Sequence, residues 1–170
     1  MELTMHSNWK RKIFLFCTIN LITSTHLVNA ALQSCHNAPL IVMAKTVGSI
    51  TYSANDCKEN WETQDIRLDF AYHHDIPEWA FKRAEKNYLK KNIVNFSDRS
   101  PLNSITELYR PVKKGDLYSL NYKQNTKTLT LSLNQKSLGS ITDHSANQYF
   151  KIWFGSVPFN AKLKQQLLHQ

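Results

Sequence analysis

Glycine and proline are scarce in this chain, at four and five of 170 residues. Four scattered glycines cannot form a phosphate-cradling loop or the Gly-x-Ser-x-Gly elbow of a serine hydrolase, and neither motif is present. No internal repeat, low-complexity tract or Pro/Gly-rich linker interrupts the chain, so one compact unit is expected. Cysteine is also rare, at three residues, which excludes a disulfide-dense scaffold and a paired-cysteine zinc site. There is no His-Glu-x-x-His pair, so no metal and no cofactor is expected. Nucleic acid is excluded as a partner, since no ribonucleoprotein motif, zinc finger or basic helix leading into heptads occurs.

What is present begins at the N-terminus. Lys10-Arg11-Lys12 precede the apolar run Ile13-Phe14-Leu15-Phe16-Cys17, Ile19, Leu21 and Ile22, which fades into Val28-Asn29-Ala30-Ala31. A basic start, a short apolar middle and small residues at the −3 and −1 positions describe an export signal cleaved after Ala30. The run is broken by Thr18, Asn20 and Thr23–His26 before it reaches the roughly 20 apolar residues of a membrane span. The expected organisation is therefore a cleaved signal over 1–30, a single domain over 31–170, and no stable span after cleavage. Leu32-Gln33-Ser34-Cys35 resembles a lipidation box with Gln33 off pattern, which leaves a lipoprotein anchored at Cys35 as an alternative.

Cleavage removes three of the 21 basic and one of the 13 acidic residues, leaving a charge of about +6. The excess concentrates in Lys82, Arg83, Lys86, Lys90, Lys91, Lys113 and Lys114 and is read as a solvated surface. Cleavage also removes Cys17. In an oxidising compartment Cys35 and Cys57 are expected to form a disulfide, with two buried thiols as the alternative.

Leu40–Tyr52 is rich in Ile, Val and Thr and reads as one strand; Ile66–Tyr72 alternates apolar with polar and reads as another. Asp75-Ile76-Pro77-Glu78 supplies capping chemistry for a helix over 77–92, with Ile76, Ala80, Ala84 and Tyr88 on one stripe and Lys82, Lys86 and Lys90 on another. A second helix is expected near Leu102–Tyr109. Asp116–Lys123, Thr128–Leu133 and Ser137–Ile141 form a meander of short strands. Helices over Ser145–Phe154 and Ala161–Leu168 then flank Gly155-Ser156-Val157-Pro158, with Gly155 as a helix cap. The fold class is α+β: an open-faced antiparallel sheet covered on one face by a layer of helices.

Lys114-Gly115-Asp116-Leu117-Tyr118, Leu138-Gly139-Ser140-Ile141 and Ile152-Trp153-Phe154-Gly155-Ser156-Val157-Pro158 carry a resemblance. Together they look like the bacterial chalcone isomerase-like family over about 60 residues. That resemblance implies the same sheet-and-helix fold, and, its members being bacterial, a periplasmic address. It also implies one of two activities: cyclisation of chalcones, or non-catalytic binding of fatty acids.

The enzyme's residues map poorly here. Its arginine has no counterpart, since the chain from Ala31 holds no arginine before Arg67, and Lys45 is the nearest substitute. Asn87 matches its helix asparagine, the tyrosine position falls on Ala80, and the position before the glycine falls on Ile152. With the group that stabilises developing oxyanion charge missing, cyclisation is not expected. The implied function is a non-catalytic exported domain binding a fatty acid or other apolar acidic ligand between sheet and helices. Lys45 is its anion partner, and Trp79, Phe81, Asn87, Tyr118 and Ile152 are the other ligand-binding candidates. The alternative is an isomerase or lyase acting on another small molecule.

Overall fold

The computed structural model describes residue 1 and residues 31–169; the export segment lies outside the described residues. Strand β1 covers Gln33–Val42, β2 Lys45–Ala54, β3 Ile66–Tyr72, β4 Leu117–Lys123, β5 Thr128–Leu133 and β6 Lys136–Thr142. They form one antiparallel sheet in chain order. Helices α1 (Glu78–Asn92) and α2 (Pro101–Glu107) lie between β3 and β4. After β6 a 3-10 helix over Ala146–Phe150 runs into α3 (Lys151–Phe154), and α4 (Ala161–Leu168) follows. The expected α+β architecture is the one observed.

Strand alternation decides which sheet face is covered. Ile50, Tyr52, Ile66, Leu68, Phe70, Tyr118, Leu120, Tyr122, Leu129 and Leu131 point beneath the helices and are buried. Each contributes roughly 1.5–3 kcal/mol of apolar burial. The opposite face carries Arg67, Asp69 and Ser119, joined by an Arg67–Asp69 ion pair of 2.8 Å and a Ser119–Asp69 hydrogen bond of 2.5 Å. An open polar face and a covered apolar face are the physical content of the period-2 pattern.

Two local expectations are corrected and one is met. Leu40–Tyr52 is a hairpin rather than one strand: β1 and β2 turn at Met43 and Ala44, both at positive φ (47° and 63°). No Asn-Gly or Asp-Gly marks that turn, so the sequence reads as continuous. Asp75 does not cap α1; Pro77 holds the cap position, and the Asp75 carboxylate accepts from the Lys114 N–H at 3.0 Å. Gly155 caps the end of α3 as expected, in extended backbone, and also allows close approach. A Cβ there would stand 2.2 Å from Asn92 Oδ1.

Cys35 and Cys57 are bridged, with Cα atoms 5.4 Å apart. The bridge closes the β1 end of the sheet onto the loop before β3. Among the described residues no helix is long and apolar enough to cross a membrane, and no His/Cys/Asp/Glu trio could hold a metal ion.

Candidate functional site

Between α1 and the β1–β3 side of the sheet lies a cavity of about 240 Å³. Its formation traces to residue size. Ala80 and Ala84 face it from α1, and their side chains are too short to fill the space above Leu40, Val47 and Phe70. The sequence stripe of small residues therefore opens a gap rather than bringing helix and sheet together. A bulge in the β1–β2 ladder helps: pairing steps from Leu40↔Gly48 to Ile41↔Thr46, and the extra residue, Val47, lines the cavity. Ile152, Trp153 and Phe159 close the end nearest α3.

Aromatic packing fixes the walls. Phe81 stacks on Tyr109 at 5.2 Å between ring centres and meets Tyr72 and Tyr118 edge-on at 5.6 Å each. Trp153 leans on Phe70 at 5.0 Å. Such pairs add roughly 0.5–1.5 kcal/mol each beyond area burial and hold the rings in place.

One lining residue carries charge chemistry. Glu85 is 4% exposed and opens onto the cavity. Its carboxylate accepts the Tyr149 hydroxyl, and the Tyr109 and Thr106 hydroxyls lie beside it. The Thr106 and Tyr149 hydroxyls are 3.0 Å apart. Burial pushes the Glu85 carboxyl up to about 8 against the pull of those three hydroxyls. Burial and the neighbouring Glu85 likewise raise Tyr72, Tyr109 and Tyr149 well above the usual phenol range.

A family model described as chalcone isomerase-like matches residues 50–169. The chain belongs to the chalcone isomerase-like family. Among solved structures it is similar to a fatty-acid binding protein of Arabidopsis thaliana, with a TM-score of 0.59. That match has 15% identity and covers 81% of this chain and 84% of the other. At that identity the likeness shows the fold. No curated protein matches the sequence.

In this chalcone isomerase-like domain the six residues anticipated for ligand binding divide. Phe81 and Ile152 line the cavity together. Tyr118 sits one layer behind, sealed in the core, its hydroxyl donating to Arg110 O at 2.9 Å and accepting from Arg110 N–H at 2.7 Å. Trp79 is 64% exposed and Asn87 is exposed, because both lie on the far side of α1 from Glu85 and Leu89. The structure thus places these two off the cavity. Lys45 is exposed and is not a lining residue; it pairs with Val42, which is, and so shares the helix-facing side of the sheet.

Glu85 itself went unanticipated. The usable signal was Phe81-x3-Glu85-x3-Leu89, an acid at the centre of an i, i+4, i+8 apolar stripe. A wider surface cleft of about 700 Å³ lies on the other side of α3, lined by Lys58, Glu59, Trp61, Glu62, Lys151 and Lys164 among others. Its mixed charges suit solvent better than a defined ligand.

Proposed function

We propose that this is an exported, non-catalytic chalcone isomerase-like domain that holds an apolar ligand, a fatty acid or similar apolar acid, between sheet and helices. The observation that carries the reading is the cavity itself. Its walls are apolar and aromatic, and no arginine or lysine is among its lining residues. A cyclising site needs a cation or donor array where charge develops, and Glu85 would oppose such charge. The likeness to the Arabidopsis thaliana fatty-acid binding protein supports the same reading by analogy of fold. At about 240 Å³ the space lies below the roughly 300–1,000 Å³ of drug-sized sites. It therefore suits a short chain or one segment of a longer one. For an acid whose charged head stays outside at the rim, Lys45, beside Val42, is the cation on offer.

Export rests on the basic-then-apolar segment over 1–30 and agrees with the Cys35–Cys57 bridge, which suits an oxidising compartment such as a periplasm. Expression of the full chain in a bacterium, followed by fractionation and intact-mass measurement, tests it. A product beginning at Ala31 in the periplasmic fraction is expected. Mass spectrometry of organic extracts from that product tests the ligand. A product with nothing extractable, and no uptake of added medium-chain acids, would end the binding reading.

The alternative, an isomerase or lyase on another small molecule, is favoured by one observation. A carboxyl held near 8 beside a tyrosine at a cavity wall is a workable acid–base pair. Turnover of chalcone or a simple enone, abolished by Glu85→Gln or Lys45→Ala, would establish it.

A further inference from the structure

The polar residues of the cavity are not spread over its walls. Of the lining residues, Glu85 and Tyr109 belong to a hydroxyl–carboxyl cluster completed by Thr106 and Tyr149, and the remaining lining is hydrocarbon or aromatic but for the hydroxyl of Tyr72. Facing Glu85 are Tyr72 from β3, Thr106 from α2, Tyr109 just after it, Tyr118 from β4 and Tyr149 from the 3-10 helix. None of them is a cation. The nearest lysines on its own helix, Lys82 and Lys86, turn outward onto Glu107 at 3.1 Å and 2.7 Å.

Two consequences follow for any occupant. A wholly apolar ligand would leave the polar groups at the cavity wall, the Glu85 carboxyl and the Tyr109 hydroxyl, with no added partner. A carboxylate pressed onto an ionised Glu85 would set two negative charges together in an apolar space with no cation to offset them. What fits is a group that hydrogen-bonds without carrying charge.

We propose, resting on the ligand-binding reading above, that the cavity takes its ligand polar end first, seating an uncharged oxygen on Glu85 and Tyr109. The ligand class is a short, neutral amphiphile: an alcohol, ketone or aldehyde. The raised carboxyl of Glu85 agrees with this, since it stays protonated at neutral pH and can donate as well as accept.

The test titrates purified protein with octan-1-ol and with octanoate, following amide chemical shifts at about pH 6 and about pH 10, on either side of the Glu85 carboxyl. Octanol is expected to bind with a dissociation constant that changes by less than about twofold between the two. Octanoate is expected to weaken by about tenfold or more as Glu85 ionises, and Glu85→Gln is expected to erase that difference. Tyr109→Phe, which keeps the ring and drops the hydroxyl, serves if the Gln variant fails to fold; octanol should then bind about fivefold more weakly. Octanoate binding that ignores pH but is lost in Lys45→Ala would place the head at the rim. That outcome overturns the polar-end-first proposal while the binding reading stands. Failure of both probes to bind the wild-type cavity overturns both.

Discussion

Tyr149 donates its hydroxyl to the Glu85 carboxylate across 64 residues of sequence, at a point where both side chains are closed off from water. That bond fastens the 3-10 helix before α3 to the middle of α1. Thr106, 3.0 Å from the same tyrosine hydroxyl, brings in α2. Three separate helical segments thus meet at one acid above an otherwise apolar sheet face. The arrangement is costly for a charged carboxylate and cheap for a protonated one, because desolvation is the largest influence on Glu85.

The stability of the fold should therefore carry the titration of Glu85. Its carboxyl lies near 4.5 when unfolded and about 8 when folded, so between those values the native state holds a proton that the unfolded state has released. The stabilisation is fully present below the lower value and is lost as pH rises through the upper one, at up to about 1.4 kcal/mol per pH unit. Glu85→Gln keeps the shape of the protonated acid and removes the titration. Urea unfolding of both proteins from about pH 5 to about pH 9 is expected to show the wild type losing stability relative to the variant. Parallel curves would mean that Glu85 is not held protonated.

Much of the fold was legible because strands announce themselves by period. Ile66–Tyr72 and Thr128–Leu133 occupy the bounds that alternation assigns them. The Asn134-Gln135 turn, both residues at positive φ, joins β5 to β6 where the polar pair stands. The β1–β2 hairpin was not legible, since Met43 and Ala44 adopt left-handed backbone without the residue types that usually signal it. The site was half legible. Phe81 and Ile152 point into the cavity, but the helix phase was read from Ile76, Ala80 and Ala84, one flank of the buried face. Its centre runs through Glu85 and Leu89. A polar residue at the centre of a buried stripe carries no weight in a hydrophobic pattern, so the residue with the most chemistry was the one the pattern passed over.

Reduction of Cys35–Cys57 should cost about 3 kcal/mol, the chain-entropy value for a bridge spanning 22 positions. A Cys35→Ser, Cys57→Ser protein compared with wild type by urea unfolding measures it. Reductant should lower the wild-type midpoint and leave the double variant unchanged. A wild-type midpoint indifferent to reductant would show that the bridge does not form.

Asn92 acts as a latch between α1 and the loop after α3. Its side chain donates to Val157 O at 2.8 Å and accepts from Val157 N–H at 2.9 Å, while donating to Tyr88 O at 2.8 Å. Asn92→Ala is expected to destabilise by about 0.5–1.5 kcal/mol, the net worth of ordinary hydrogen bonds, since the exposed Val157 backbone groups can turn to water. Trp79→Ser, on the exposed side of the same helix, should stay within about 0.5 kcal/mol. Denaturant midpoints for the two variants decide the matter; a larger loss at Trp79 would mean that this ring is covered in solution.

Ala84→Trp examines whether the cavity is where ligand goes. Ala84 faces the gap from α1, so an indole placed there projects into space rather than into packed side chains. The usual overpacking penalty of about 1–3 kcal/mol should be reduced, while the volume open to ligand disappears. The variant is expected to melt within a few degrees of wild type and to lose octan-1-ol binding measured by amide shifts. Ala84→Ser, which hardly changes the volume, should bind as wild type does. If the Trp variant keeps full affinity, the ligand sits elsewhere, and the cleft beside Trp61 and Lys164 becomes the place to look. A collapse in melting temperature would instead show that the gap closes in solution, because only a packed site resists an added ring so strongly.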